Sequence, residues 1–283
     1  MKWIAGAFLV LAAGAVCASV LVGWGRGGGK PVVCVGSTSV QPFAEMLAEE
    51  YCRKPTAPPW GVDVQGGGST AGIQAVLEGI AEIGMCSRSL KPQEAAELTG
   101  IPIASDGLAI VVNKSNPVGA LSRSQIRAIF SGEATRWNQV GGADEPIYLI
   151  TREEGSGTRE AFVKLVMEHQ LAPSGPQGGH GARISRKAMT QESNGAVKEL
   201  IKHNRWAIGY MSLGLVHEEL KIVTVDGVYP TAQEVTSKRY PLMRPFLFVV
   251  RGTVSPATQG FIDYVLSEEG QHVLEKEGLV SIR

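Results

Sequence analysis

Short apolar runs rich in valine and isoleucine recur along the chain, and each is followed by a polar or glycine-containing segment. Runs of this length and composition predict buried β-strands. The predicted strands cover residues 32–35, 62–64, 82–85, 108–112, 147–151, 207–210, 222–225 and 246–250.

Between the predicted strands, apolar residues recur at the three- and four-residue spacing of one helical face. These faces are formed by Phe43, Met46, Leu47 and Tyr51, by Ile73, Val76, Leu77 and Ile80, by Phe162, Leu165 and Val166, by Val197, Leu200 and Ile201, and by Phe261, Ile262, Val265 and Leu266. Because strands and helices alternate, the pattern predicts an α/β fold with a mixed, mostly parallel sheet. Residues 172–181 are rich in glycine and proline, and we expect a flexible insertion there.

The first 30 residues differ in character from the rest of the chain. Lys2 precedes an apolar run over residues 3–22, and a glycine-rich segment follows over residues 23–30. A positive charge, an apolar stretch and a polar exit are typical of an export signal, which predicts a periplasmic or other extracytoplasmic location. The run is also about long enough to cross a bilayer once. Cleavage, retention as a membrane anchor and lipidation at Cys17 therefore remain open.

Charge and cysteine content narrow the classes of function. The 283 residues include 27 lysines and arginines and 27 aspartates and glutamates. The chain therefore has no net positive charge that would attract nucleic acid. Beyond the export segment, Cys34, Cys52 and Cys86 fit no zinc pattern. Cys34 and Cys86 end apolar runs, which favours buried free thiols over the alternative of a disulfide. Glycine is enriched: it accounts for 35 of the 283 residues, well above its average frequency in proteins of roughly 7%.

Glycines and hydroxyl residues meet in three segments that share one design. Each has a predicted strand, then glycine with serine or threonine, then a helix start; the segments are 36–42 (GSTSVQP), 66–72 (GGGSTAG) and 155–160 (GSGTRE). A helix N-terminus presents free amides, and glycine lets a ligand approach the backbone, so the three loops together predict an anion site. The alternative is that Ser39, Ser69 and Ser156 are helix N-caps only.

Motifs for catalysis are absent from the sequence. The chain lacks the phosphate-binding lysine motif of nucleotide-triphosphate enzymes and the G-x-S-x-G elbow of serine hydrolases. Its five histidines are scattered, with no pair four residues apart. We therefore expect no metal ion, no cofactor and no enzymatic activity.

Six stretches, in order, resemble the extracytoplasmic phosphate-binding proteins of ABC-type phosphate importers. They read GSTSVQPF, VQGGGSTAGIQAVLEGIAEIGMCSRSL, GLAIVVNKSNP, IFSGEATRWNQVGG, ITREEGSGTREAF and AIGYMSLG. The resemblance extends from about Pro31 to the C-terminus. It implies a receptor that captures inorganic phosphate and delivers it to the transmembrane permease subunits of the importer.

The resemblance also implies the two-lobed, type II periplasmic-binding-protein fold, with the ligand in the cleft between the lobes. Lobe one would comprise residues 31–112 and 241–283, and lobe two residues 113–240, behind the signal or anchor segment at 1–30. The phosphate-binding residues that it implies are Thr38, Ser39, Val40 (through its amide), Ser69, Ser87, Arg152, Ser156, Gly157, Thr158 and Asn194.

One position departs from the family pattern. In the better-known members an aspartate follows the third strand and accepts the phosphate proton, whereas this chain has Ser87 followed by Arg88. A carboxylate there repels sulfate, which carries no proton at neutral pH. Sulfate, molybdate or tungstate therefore remains open as the ligand, with Glu154 as a substitute acceptor or as a partner that orients Arg152. An exported phosphoester hydrolase and a membrane-tethered sensor or scaffold are further alternatives.

Overall fold

The computed structural model of the chain describes residues 29–168, 183–216 and 218–283. The predicted insertion at 172–181, Cys17 and the apolar run at 3–22 lie outside these ranges. Within them, no helix has both the length and the apolar character needed to span a bilayer. Pro31–Arg283 is one compact unit.

The strands coincide closely with the apolar runs of the sequence. They are β1 (Val32–Gly36), β2 (Val62–Gly66), β3 (Ile83–Cys86), β4 (Thr99–Asn113), β5 (Ala120–Leu121), β6 (Tyr148–Arg152), β7 (Met189–Gln191), β8 (Ala207–Ser212), β9 (Leu220–Ile222), β10 (Thr224–Val225) and β11 (Met243–Val250). The run predicted as one strand at 222–225 is divided between β9 and β10, and the short strands β5 and β7 were not predicted.

The helices include one at each predicted apolar face. They are α1 (Gln41–Cys52), α2 (Ser69–Leu77), α3 (Pro92–Ala95), α4 (Arg123–Ser131), α5 (Gly157–Phe162), α6 (Asn194–His203), α7 (Ala232–Thr236), α8 (Pro256–Leu266) and α9 (Glu268–Lys276). A π-helix over Val163–Met167 continues α5, and short 3-10 helices cover Trp137–Val140 and Leu213–Leu215.

Two details of the helix prediction are wrong or incomplete. Ile80 was assigned to the buried face of α2, but the helix ends at Leu77, Gly79 has a φ of +72°, and Ile80 is 65% exposed. Helices α3, α4, α7 and α9 were not predicted, although in α4 Ile126 and Phe130 lie on the buried face at helical spacing.

Most strands belong to one mixed sheet. Its order is β2-β1-β3-β11-β4-β8-β6-β7, β9 also pairs with β4, and β5 and β10 form a separate pair. Strand β1 is parallel to β2 and β3, and β6 is parallel to β7 and β8. Strands β4 and β11 run antiparallel to their neighbours in the middle of the sheet. This arrangement confirms the predicted α/β fold with a mixed sheet.

Strand β4 is 15 residues long and changes partners along its length. Residues 99–107 pair with β11, and residues 108–113 pair with β8 and β9. The two largest apolar clusters divide at the same point, because one draws its buried residues from 32–104 and 246–279 and the other from 108–242. The first half of β4 was not predicted, since Pro102 and Gly107 interrupt its apolar pattern.

The carboxyl ends of β1, β2 and β3 lie level with one another. Gly36 pairs with Gly66 of β2 and with Met85 of β3. Gly36 has a φ of +143°, and a Cβ at this position would lie 2.3 Å from the Met85 carbonyl oxygen. Only glycine fits there. The loops that follow these three strands therefore start side by side, as ligand-binding loops do in α/β sheets.

The cysteine prediction is confirmed for the described residues. Cys34, Cys52 and Cys86 are free, and Cys34 and Cys86 are buried. Burial raises the pKa of both buried thiols above their ordinary value. These two thiols are structural apolar groups in their neutral form.

Candidate anion-binding site

Polar side chains are buried together where the loops after β1, β2, β3 and β6 meet. Each of these side chains belongs to a residue that is at most 4% exposed. Buried polar groups require hydrogen-bond partners, and these residues find them largely in one another. We call this set the polar cluster. It comprises Ser37, Ser39, Ser69, Ser87, Asp106, Arg152, Thr158, Asn194, Ser212 and Arg244.

Ser37 and Ser39 enter the cluster from the loop between β1 and α1. The Ser39 amide donates to Ser37 Oγ at 3.2 Å, and the Ser37 hydroxyl donates to Ser87 Oγ at 2.9 Å. The Val40 amide donates to the Ser37 carbonyl at 3.0 Å, within the turn that starts the helix. Ser39 Oγ lies 2.8 Å from Thr158 Oγ1. The loop thus turns its hydroxyls towards two other segments of the chain.

Ser69 and Ser87 bring the loops after β2 and β3 together. The Ser87 amide donates to Ser69 Oγ at 3.1 Å, and the two hydroxyl oxygens lie 3.4 Å apart. Gly157 packs directly against them, because a Cβ there would lie 2.2 Å from Ser69 Oγ and 2.7 Å from Ser87 Oγ. The Thr70 amide also donates to the Gly155 carbonyl at 3.1 Å. The third glycine loop is therefore fastened to the second.

The alternative that the loop serines are N-caps holds for one of the three. Ser156 is the N-cap of α5, and its Oγ accepts from the Arg159 amide at 3.3 Å. Helices α1 and α2 begin without a side-chain cap, so Ser39 and Ser69 have no such role. Their hydroxyls serve the polar cluster.

Arg152 ends β6 and reaches across the cluster. Its Nε and Nη2 donate to both carboxylate oxygens of Glu153, each at 2.9 Å. The same two nitrogens donate to the carbonyl oxygens of Gln191 and Glu192, each at 3.1 Å, and Nη2 also donates to Thr38 Oγ1 at 3.1 Å. These contacts fix the plane of the guanidinium group. Thr38 therefore enters the site through Arg152.

The remaining nitrogen of Arg152 has no partner among the residues that the structure describes. Its Nη1 is buried and makes no hydrogen bond within the described part of the chain. A buried charged donor without an acceptor is costly, and an anionic ligand would relieve that cost. The carboxylate that orients Arg152 belongs to Glu153, so the sequence-based suggestion of Glu154 for that role is wrong.

Asn194 connects the start of α6 to the loop after β1. Its Nδ2 donates to Ser39 Oγ at 2.9 Å, and its Oδ1 accepts from the Ser212 amide at 3.2 Å. The backbone amide at Ser212 fixes which end of the side chain is the oxygen. Asn194 thus lies among the other predicted residues, as a donor to Ser39.

Arg244 and Asp106 complete the cluster, and neither was predicted from the sequence. They face each other across β11 and β4, with Arg244 Nε and Nη2 each 2.9 Å from Asp106 Oδ2. The Ser212 hydroxyl donates to Asp106 Oδ1 at 2.9 Å. The available signal was a charged residue two positions before each of the apolar runs at 108–112 and 246–250, since charges are buried only when paired.

Burial acts on both charges of this pair. It raises the pKa of Asp106 and lowers the pKa of Arg244, because desolvation disfavours the charged form of each group. Each charge therefore depends on the other, and the loss of one partner leaves the other uncompensated.

Arg88, which follows Ser87, does not enter the polar cluster. Its Nη1 and Nη2 donate to Glu94 at 2.7 and 2.9 Å, and its Nε lies 3.0 Å from Glu160 Oε2 on α5. It is nevertheless only 5% exposed, so it is not a surface arginine. Arg88 ties the loop after β3 to α5.

Surface grooves formed by described residues reach members of the cluster. One of about 620 Å³ is lined in part by Gly155 and Arg244, and another of about 310 Å³ is lined in part by Thr38 and Asn194. The central hydroxyls of Ser39, Ser69 and Ser87 line neither groove.

Comparison with known proteins assigns the chain to a family. A family model described as the PBP superfamily domain matches residues 25–269. The chain belongs to the PBP superfamily. This result confirms the family resemblance seen in the sequence motifs.

Individual relatives agree with this assignment. The phosphate-binding protein PstS of Bacillus subtilis is 29% identical over 252 residues, which cover 87% of this chain and 79% of the relative. A candidate phosphate ABC transporter substrate-binding protein of Clostridium perfringens, solved with bound phosphate, is 38% identical with a TM-score of 0.80, over 90% of this chain and 100% of that one. An ABC-type phosphate transport receptor of Vibrio cholerae is 36% identical with a TM-score of 0.71. The match covers 88% of this chain and 99% of that one.

The Arg244–Asp106 pair leads to a stability prediction. Arg244→Met alone should lower the free energy of unfolding by about 3–5 kcal/mol, because it leaves a buried carboxylate unpaired. Combining it with Asp106→Leu should restore most of that loss, since no charge is then left without a partner. Urea denaturation in phosphate-free buffer measures the free energy of unfolding of the wild type, the single variant and the double variant.

The exposed pair of Arg251 and Glu97 provides the control for this experiment. Arg251→Met should cost no more than about 1 kcal/mol, as expected for a surface ion pair. An Arg244→Met protein as stable as the Arg251→Met protein would contradict the buried pairing.

Proposed function

We propose that this chain is the solute-binding component of an ABC phosphate importer, which captures inorganic phosphate in the polar cluster and delivers it to the transmembrane permease subunits. The observation that carries the proposal is the buried Arg152 guanidinium, whose Nη1 has no partner among the described residues. Relatives at 36% and 38% identity bear the names of phosphate receptors, and one of them was solved with phosphate.

The chemistry of the cluster suits a tetrahedral oxyanion. Such a ligand presents oxygen acceptors in all directions, and the cluster supplies hydroxyl donors from several loops and two guanidinium groups. Charge-assisted hydrogen bonds of this type contribute on the order of 1.5–3 kcal/mol each when water is excluded. The residues proposed to form the phosphate site are Thr38, Ser39, Ser69, Ser87, Arg152, Ser156, Gly157, Thr158 and Asn194. Val40 is left out, because its amide donates to the Ser37 carbonyl.

The proposal includes a division of the unit into two lobes. Lobe one would combine residues 31–112 and 241–283, and lobe two would be residues 113–240. The change of partners within β4 and the division of the two largest apolar clusters support a boundary close to Leu108. The loops after β1, β2 and β3 would then approach the ligand from lobe one, and Arg152 with α5 from lobe two.

Capture is proposed to leave phosphate chemically unchanged. Membership of a superfamily of binding proteins supports a role without catalysis. We also propose an extracytoplasmic location, with the segment at 1–30 acting as an export signal or as a membrane tether.

The first prediction for this function concerns Arg152. Wild-type protein should bind phosphate in isothermal titration calorimetry, after bound phosphate has been removed by unfolding and refolding. Arg152→Ala should weaken that binding by about a hundredfold or more, because charge-assisted hydrogen bonds to the anion are lost.

Arg136→Ala is the matched control. Its side chain is 46% exposed and pairs with Asp144 at the surface, so phosphate affinity should stay at the wild-type value. Wild-type affinity in a folded Arg152→Ala protein would refute the proposed site.

Sulfate is a second candidate ligand, and a specific observation favours it. The carboxylates of Asp106 and Glu153 are each engaged by an arginine, and Ser87 occupies the position of the family's aspartate. The site therefore has no free carboxylate, among the described residues, with which to repel an unprotonated anion.

Ser87→Asp tests the origin of selectivity. The new carboxylate should accept the phosphate proton and repel sulfate, so the ratio of phosphate to sulfate affinity should rise by about tenfold or more. Competition titrations with both anions measure that ratio. Ser89→Asp places the same charge two residues away at an exposed position and should leave the ratio unchanged. Equal ratios in wild type and Ser87→Asp would exclude a selectivity role for position 87.

A further inference from the structure

Arg244 contacts two of the proposed phosphate-binding residues while it is held from behind. Its Nη1 donates to Thr158 Oγ1 at 2.7 Å, and its Nη2 donates to Ser39 Oγ at 3.3 Å. Its Nε and Nη2 lie against Asp106, and its side chain is 1% exposed. One edge of the guanidinium group is therefore fixed by a carboxylate, and its tip is directed at hydroxyl oxygens.

These contacts determine the direction of the hydrogen bond between Ser39 and Thr158. A hydroxyl oxygen accepts two hydrogen bonds and donates one. Ser39 Oγ already accepts from Arg244 Nη2 and from Asn194 Nδ2. It must therefore donate to Thr158 Oγ1, which lies 2.8 Å away.

The same count leaves one hydrogen over at Thr158. Its Oγ1 accepts from Ser39 and from Arg244 Nη1, so both of its lone pairs are occupied. No described residue accepts the hydrogen of the Thr158 hydroxyl. The chain of donors that begins at Arg244 and Asn194 thus ends in a buried hydroxyl that can only donate.

The pair of Ser69 and Ser87 behaves differently. Ser87 Oγ accepts from Ser37, Ser69 Oγ accepts from the Ser87 amide, and either hydroxyl can donate across their 3.4 Å contact. Whichever one donates keeps a free lone pair, so this pair can still accept a hydrogen from a ligand. The phosphate dianion carries one proton and the monoanion carries two. The cluster therefore has an acceptor for the dianion's proton and lacks one, on the Ser39 and Thr158 side, for a second proton.

We propose that Arg244 is a positioning residue that compels the Ser39 and Thr158 hydroxyls to donate, and that the site consequently binds phosphate as the dianion. The proposal rests on the proposed function, since it concerns how that site reads its ligand. Asp106 holds Arg244 in place, and Arg244 acts on the ligand through the Thr158 hydroxyl, because the hydrogen of Ser39 is already donated to Thr158.

Among the described residues, the ionisable groups that act most strongly on Arg244 are Asp106 of β4, Arg152 beside Glu153, and Cys86 of β3. Burial raises the pKa of the Cys86 thiol. A change of phosphate affinity near neutral pH is therefore expected to report the ionisation of the ligand.

The wild-type protein gives the first test. Phosphate affinity, measured by calorimetry, should rise about tenfold per pH unit below the second pKa of inorganic phosphate and level off above it. Sulfate does not titrate in this range, so its affinity should stay constant and serves as the control. A phosphate affinity that is equally constant would overturn the inference while leaving phosphate capture intact.

Removal of Arg244 gives the second test. The charge-free variant Arg244→Met with Asp106→Leu should bind the dianion roughly tenfold to a hundredfold more weakly. It should also lose most of the pH dependence, because the freed hydroxyls can accept a hydrogen from the monoanion. A folded variant that keeps the wild-type pH profile would contradict a positioning role.

Arg244→Lys provides the conservative rescue. It keeps a cation and hydrogen-bond donors beside Asp106, so it should retain the pH dependence with a smaller loss of affinity than the charge-free variant. If the charge-free variant does not fold, the wild-type profile and the lysine variant decide the question. A wild-type protein that binds no phosphate at any pH would refute the proposed function and this inference together.

Discussion

The burial of two guanidinium groups is the constraint on which the rest of the site depends. Arg152 and Arg244 are almost completely removed from water, and buried charge is tolerated only with partners. Glu153 and Asp106 supply the countercharges, and hydroxyls from two loops, those after β1 and β6, supply acceptors. The glycines matter because these loops must come within contact distance. At Gly157, any side chain would collide with Ser69 and Ser87.

Much of this architecture could be predicted from local patterns. The apolar runs identify strands, and the loops at 36–42, 66–72 and 155–160 combine glycine with hydroxyls directly after them. Parallel pairing then brings the ends of β1, β2 and β3 together. Arg244 and Asp106 could not be found in this way, because they lie 138 residues apart and meet only through the antiparallel register of β4 with β11. The choice between Glu153 and Glu154 depends likewise on the backbone path after β6.

Discrimination between phosphate and other anions has to work in this chain without the family's aspartate. Both carboxylates of the site are committed to arginines, so neither is free to receive a proton from the ligand. The remaining basis for discrimination is the direction of the hydrogen bonds that the hydroxyls make. Ser39 and Thr158 are fixed as donors by Arg244 and Asn194, whereas Ser69 and Ser87 keep the freedom to accept. Selectivity in this chain would then come from an arrangement of neutral hydroxyls.

The most direct measurement is a crystal structure of the protein grown with phosphate. The account predicts one phosphate in the polar cluster, with oxygens within hydrogen-bond distance of Arg152 Nη1 and Thr158 Oγ1, and with the Arg244–Asp106 pair intact. Phosphate bound only in a surface groove, or a cluster whose hydroxyls and Arg152 contact no anion at saturating phosphate, would contradict it.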